Sequence, residues 1–204
     1  MVTPERKQRL LSVLHKRQPG LTVVMENVFD PHNISAVMRT CDAVGIQDIY
    51  ILNTLIPSHK KWGKKSSSGV SKWLTVHQFS DAKICMDELH KQYDYVYTTK
   101  ITENSLSLYD IDFTKKIALV FGNEHSGVSG DVSGLANGNF IIPQMGLVKS
   151  LNISVACAVS LYEAFRQKFL AGHYDEMQLT EQQMKKLLHQ WKLDSEDDGH
   201  LFSQ

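Results

Sequence analysis

The stretch Ile117 to Leu161, IALVFGNEHSGVSGDVSGLANGNFIIPQMGLVKSLNISVACAVSL, restricts the fold more than any other part of the chain. An apolar strand, Ile117 to Phe121, runs into a turn from Gly122 to Gly127. A second apolar run, Phe140 to Ile142, ends at Pro143. A glycine-bearing loop follows, and a helix opens at Ser150 with almost no charge in its first three turns. Strand, loop, strand, loop and helix, with glycines at the strand ends, is how an α/β protein builds a crevice for a small ligand at the carboxyl ends of its strands.

The rest of the chain supplies strands and helices in alternation. Thr3-Pro4 starts a helix that is expected to run to about Gln18, with Leu10, Leu11, Val13 and Leu14 on one side and basic residues around the rest. Pro19-Gly20 stops it, and Leu21 to Met25 reads as a buried strand. In NISAVMRTCDAVG, Asn33 to Gly45, the residues Ile34, Val37, Met38, Cys41 and Val44 form one helical stripe, with Asn33 or Ser35 as cap and Gly45 as the left-handed stop. At about 100° per residue Arg39 projects away from that stripe. Strands are expected at Gln47–Asn53, Leu74–His77 and Tyr93–Thr99, with a helix over Asp81–Gln92 that turns Ile84 and Leu89 inward. Thr180-Glu181-Gln182-Gln183 is a capping box opening a helix with Met184, Leu187, Leu188 and Trp191 on one face. The pattern predicts an α/β fold with a mainly parallel sheet flanked by helices, plus short N- and C-terminal helical extensions.

A chain of 204 residues suits one domain. Lys+Arg and Asp+Glu both number 22, which excludes an overall cationic field but not a local one. The charges are segregated. Arg6, Lys7, Arg9, Lys16 and Arg17 crowd the N-terminus, and Lys60, Lys61, Lys64, Lys65 and Lys72 share a loop with two tryptophans. Asp194, Glu196, Asp197 and Asp198 make an acidic tail. Lysines interleaved with aromatics suit RNA backbone and base contacts. Cys41, Cys85 and Cys157 form no CxxC pair and read as reduced thiols; no zinc site is expected. No run reaches the roughly 18 apolar residues of a membrane span, and the amphipathic N-terminus is unlike a signal peptide, so a cytoplasmic protein is expected. Neither G-x-G-x-x-G after the first strand nor a P-loop motif occurs.

Three segments together are more specific than any one: N-x-x-x-x-x-R from Asn33 to Arg39, F-G-x-E-x-x-G from Phe121 to Gly127, and I-P-x-x-G-x-x-x-S-L-N-x-S-V-A from Ile142 to Ala156. In this order and spacing the chain resembles the SpoU branch of the SPOUT methyltransferases, and the resemblance covers nearly its whole length. It implies a trefoil knot near residues 117–160, inside a methyltransferase domain over 20–172. A basic helix over 1–19, for tRNA contact or dimer support, and a C-terminal helix with acidic tail over 173–204 would flank that domain.

The resemblance further implies S-adenosyl-methionine as methyl donor, a homodimer whose active sites lie at the subunit interface, and methylation of the ribose 2′-hydroxyl of the D-loop guanosine at tRNA position 18. Donor contacts would fall to Thr99, Gly122, Asn123, Ile142, Gly146, Leu147 and Leu151, with Gly122 and Gly146 small so that backbone can approach the ligand. Arg39, with Asn33, Glu124, Ser150 and Asn152, would carry the chemistry without a metal. Because a guanidinium is not deprotonated in ordinary surroundings, Arg39 is either a base in an unusual environment or a bidentate clamp on a substrate phosphate. RNA contacts would come from Arg6, Lys7, Arg9, Lys60, Lys61, Lys64 and Lys65. The alternatives are an rRNA ribose methyltransferase of the same family, disfavoured by the short segment before the first strand, and a non-catalytic RNA-binding module.

Overall fold

The computed structural model describes residues 3–58 and 69–193. The lysines at 60, 61, 64 and 65 and the acidic tail lie outside the described residues. Helix α1 spans Pro4–His15, two to three residues shorter than expected, with the Thr3 side chain accepting from Arg6 N–H at its start. Strand β1 is Leu21–Glu26. Helix α2 is Pro31–Ala43, and here the expected caps are wrong: Asp30 is the N-cap and Pro31 takes the first turn. The X-Pro step explains this, since proline fits where no N–H is needed and the residue before it stays extended. Gly45 follows with φ +85°, the left-handed stop the sequence called for.

Strands β2 (Asp48–Leu52) and β3 (Thr75–Phe79) precede α3 (Ala82–Gln92), which is capped by Asp81. Leu89 points inward, but Ile84 is exposed, against expectation. Its side is left uncovered while Cys85, Met86 and Leu89 make the buried stripe. Strand β4 (Tyr95–Thr99), a two-residue β5 (Leu106–Ser107) and β6 (Ile117–Phe121) follow. A six-residue helix α4 (Gly130–Leu135) then leads to β7 (Gly138–Ile141). Helix α5 (Ile153–Leu170) starts three residues later than the sequence placed it, and its N-cap is Asn152, not Ser150. Helix α6 (Glu181–Gln190) carries the full capping box at Thr180 and Gln183.

Among the described residues the strands form one parallel sheet in the order β3-β2-β1-β6-β4-β7-β5. Strand β6, late in the chain, sits between β1 and β4, with Leu21 paired to Ile117 and Tyr95 also paired to Ile117. Both faces are covered, so β1 and β6 are buried at every position, as a central parallel strand requires. Val23, Met25 and Leu119 face one core with residues of α2 and α5; Val24, Ala118 and Val120 face the other with residues of α3 and α4.

A third cluster joins α1 to α6 through Leu14, Leu187 and Trp191. Arg17, expected on the solvent side, is fully buried there. Its guanidinium donates to Ile46 O at 3.0 Å and pairs with Asp42 at 2.8 Å, 5.3 Å from the centre of the Trp191 ring. Burial pulls the Arg17 pKa below its ordinary value, and Asp42 opposes that shift. The three cysteines are buried and free; burial pushes the Cys85 thiol up to about 12 and raises Cys41 strongly, so neither is a ready thiolate.

Candidate active site

A cavity of ≈ 570 Å³ opens at the carboxyl ends of β4, β6 and β7, beside the start of α5. Of the residues singled out from sequence, Thr99, Gly122, Asn123, Glu124, Ile142, Ser150, Leu151 and Asn152 line it. Gly146, Leu147, Asn33 and Arg39 do not. The loop at 143–150 is exposed throughout, with Leu147 entirely in solvent. Sequence reasoning missed Phe121, Phe140, Lys100 and Ala156 as lining residues. The two phenylalanines meet edge to face at 6.1 Å under the floor, and their place at the carboxyl ends of strands was the available signal.

The turn after β6 is self-supporting. The Asn123 side-chain oxygen accepts N–H bonds from His125 and Ser126, both at 2.9 Å, and its Nδ2 donates to Ser126 Oγ at 3.0 Å. Gly127 N–H donates to Asn123 O at 3.0 Å, which closes the turn. A Cβ on Gly122 would lie 2.0 Å from the carbonyl carbon of Gly127. The turn folding back on itself is by itself enough to require glycine at position 122. Nothing stands within 4 Å of a Cβ on Gly146, so the chain itself imposes no such demand there.

Just beyond this turn, Glu26 fastens the start of α4. This residue is 1% exposed, and its Oε2 accepts from Ser129 N–H at 3.0 Å while Oε1 has no partner. A carboxylate buried beside an apolar strand is costly, so its presence marks a constraint on the backbone it holds. The lone acid in LTVVME was the sequence signal.

At the cavity mouth three separated segments are hydrogen-bonded. Asn33 Nδ2 donates to Glu124 Oε1 at 2.5 Å, and Asn152 Nδ2 donates to Asn33 Oδ1 at 3.2 Å. Asn152 Oδ1 in turn accepts from Ser154 N–H at 2.8 Å and Ser154 Oγ at 2.6 Å. Asn33 is available because Asp30 has taken the capping work: its Oδ1 accepts from His32 N–H at 2.8 Å. Asn152 is at once the cap of α5 and a member of the chain. The carboxylate of Glu124 is thus held in a fixed orientation over the cavity.

Arg39 lies about 9 Å further along α2 than Asn33. It is exposed and makes no hydrogen bond or ion pair among the described residues. Arg6 and Arg9 are exposed on α1 and, with Trp73 and Trp191, line a second hollow. Lys72 stands 4.9 Å over the Trp73 ring. The described residues hold no group of His, Cys, Asp and Glu that could bind a metal ion, and no helix among them is long and apolar enough to cross a membrane.

This geometry can be set against known proteins. The chain is 40% identical over 191 residues to the tRNA (guanosine(18)-2′-O)-methyltransferase of Thermus thermophilus, covering 93% of this chain and 96% of that one. The structure matches that of the A. aeolicus TrmH/SpoU tRNA modifying enzyme with a TM-score of 0.87, 34% identity, and coverage of 95% and 98%. The SpoU methyltransferase AviRb from Streptomyces viridochromogenes, in complex with the cofactor AdoMet, matches at a TM-score of 0.67 and 24% identity over 76% of this chain and 62% of that one, which speaks for the fold. Residues 20–162 match the SpoU rRNA Methylase family. With the bonded chain of Asn33, Glu124 and Asn152 at the mouth of a cavity on parallel strand ends, the protein belongs to the SpoU methylase family.

Proposed function

We propose that this chain is an S-adenosyl-methionine-dependent tRNA (guanosine-2′-O)-methyltransferase acting on the D-loop guanosine at position 18. The observation that carries the reading is the hydrogen-bonded link from Glu124 through Asn33 to Asn152, which joins three sequence motifs at one cavity. Agreement over nearly the full length with a relative of that activity supports it.

The cavity suits the donor. It is concave, half apolar through Phe121, Phe140, Ile142 and Leu151, and otherwise bordered by turn backbone that can read a nucleoside. S-adenosyl-methionine supplies an electrophilic methyl on a sulfonium that departs as a neutral thioether. The residues of the chain bind, orient and exclude water. The turn over 122–127 and the loop over 142–152 wrap the site, Thr99 closes the β4 side, and Ser150 borders the entrance. With the donor bound, the ribose 2′-oxygen would take the methyl group and its hydroxyl proton would pass to water at the open cavity mouth. Arg39, exposed on α2, is suited to a phosphate clamp that aligns the ribose, because its planar fork can donate two parallel N–H bonds to a phosphate.

Arg39 does not border the cavity of its own chain, and Met145, Leu147 and Val148 present apolar surface to water. A homodimer accounts for both: the partner would cover the loop bearing Gly146 and Leu147 and bring its Arg39 to the site. We assign the knot to residues 117–160, the methyltransferase domain to 20–172, RNA contact to Arg6, Lys7, Arg9, Lys60, Lys61, Lys64 and Lys65, and the protein to the cytoplasm with its tRNA. The test incubates the protein with labelled donor and a full tRNA transcript and digests the product. Label on the ribose of guanosine 18 is the expected result, with Arg39→Ala binding S-adenosyl-homocysteine normally but losing turnover. Donor binding without label on any tRNA would move the assignment to rRNA, and neither binding nor label would leave an RNA-binding module.

A further inference from the structure

Phe29 sits between β1 and α2 with its side chain 50% exposed. Its ring lies 5.8 Å from that of His125, with the planes at 66°. His125 borders the cavity, and its backbone N–H is held by Asn123 Oδ1 at 2.9 Å. Phe29 is flanked by the buried Val28 and by Asp30, the cap of α2. The aromatic pair therefore bridges the same two segments as the bond from Asn33 to Glu124.

That placement has a consequence for the acceptor nucleotide. A cavity of ≈ 570 Å³ lies within the range that buries one small ligand, the place the donor takes in this reading. The ribose to be methylated must reach the mouth while its base stays outside. A base taken out of its stack loses favourable contact, which enzymes acting on such nucleotides restore by stacking it on aromatic side chains. Phe29 is a half-exposed aromatic ring that meets the cavity residue His125 edge to face.

We propose that Phe29, supported by His125, is the stacking platform for the base of the target nucleotide. The proposal rests on the methyltransferase reading above. It is tested by kcat/KM on a full-length tRNA transcript for the wild type, Phe29→Ala, Phe29→Tyr and Phe29→Leu, beside calorimetric titration of each with S-adenosyl-homocysteine. Phe29→Ala is expected to lower kcat/KM by about 5- to 150-fold, the span one base–aromatic stack carries. S-adenosyl-homocysteine affinity should stay within about twofold. Phe29→Tyr should recover most of the loss and Phe29→Leu should not. Unchanged kcat/KM in Phe29→Ala, recovery by leucine, or a parallel loss of S-adenosyl-homocysteine binding would each overturn the proposal. A wild type that binds S-adenosyl-homocysteine but labels no tRNA would overturn the tRNA reading itself, and the inference with it.

Discussion

Replacing Gly122 by alanine should disable donor binding while leaving the fold standing. The added Cβ would meet Gly127 C at 2.0 Å, Gly127 O at 2.1 Å and Val128 N at 2.2 Å, all backbone atoms that cannot rotate away. Ordinary contacts begin near 3.4 Å, so one side must retreat by more than 1 Å. Strand β6 cannot, because it is buried at every residue and paired to β1 and β4. The turn must open instead, and it carries Asn123 and Glu124. Overpacking costs about 1–3 kcal/mol, which for a chain of this size lowers Tm by roughly 2–12 °C. A displacement of about 1 Å at a site can cost about 100-fold in function. Calorimetry with S-adenosyl-homocysteine should therefore show about a 100-fold weaker Kd in Gly122→Ala, with cooperative unfolding retained. Gly127→Ala is the control. Its φ of +67° makes alanine strained by about 1–2 kcal/mol, but its Cβ meets nothing within 4 Å, so affinity should fall far less. Wild-type affinity in Gly122→Ala, or a worse defect in Gly127→Ala, would refute the steric argument.

Other outcomes follow from the same structure. Asn33→Asp replaces a donor by a like charge against Glu124 and should cut kcat by about 100-fold or more in the tRNA methylation assay with little change in Tm, whereas Ser35, already buried, offers no substitute. Arg17→Met strands Asp42, which keeps about a third of its surface in water, and should cost about 3 kcal/mol in urea unfolding. Lys168 is buried, and desolvation lowers its pKa from 10.5 to about 8 although Asp112 opposes this. Between those values the unfolded chain binds more protons than the folded one, so this residue makes stability rise with pH from about 8 to 10.5, by a total on the order of 3 kcal/mol. Lys168→Met should flatten that rise in denaturant titrations across the window; an unaltered slope would show that Lys168 is not the group responsible.

Periodicity made the long elements legible. Ile34, Val37, Met38 and Cys41 fall on one face of α2 and are all buried, and the boundaries of β6 match the residue pattern closely. What periodicity could not place is set by single interactions. Proline at 31 moved the cap of α2 to Asp30, and Asn152 outcompeted Ser150 because its side chain reaches both Ser154 N–H and Asn33. The short elements β5 and α4 have too few residues to show a period, and α4 holds two glycines. Arg17 looked like one more basic residue because its partner Asp42 lies in another helix and its ring neighbour Trp191 at the far end of the chain. The cavity residues announced by glycine and strand-end motifs came together; Gly146 and Leu147 did not, because their loop has no cover within a single chain.

The position of β6 also sets a timetable for biosynthesis. The sheet has a gap at its centre, between β1 and β4, until Ile117–Phe121 has emerged and paired with both. A nascent chain that stops at β5 holds the β3-β2-β1 half-sheet with its apolar β1 edge unpaired, and β4 and β5 without a neighbour because β7 also has still to emerge; such edges recruit other chains. Pairing Leu21 with Ile117 closes a long loop, so this step is slow and falls late. The strand that seals the sheet also carries the turn of the candidate active site, so a chain that has assembled this site has, by construction, already removed its most adhesive surface.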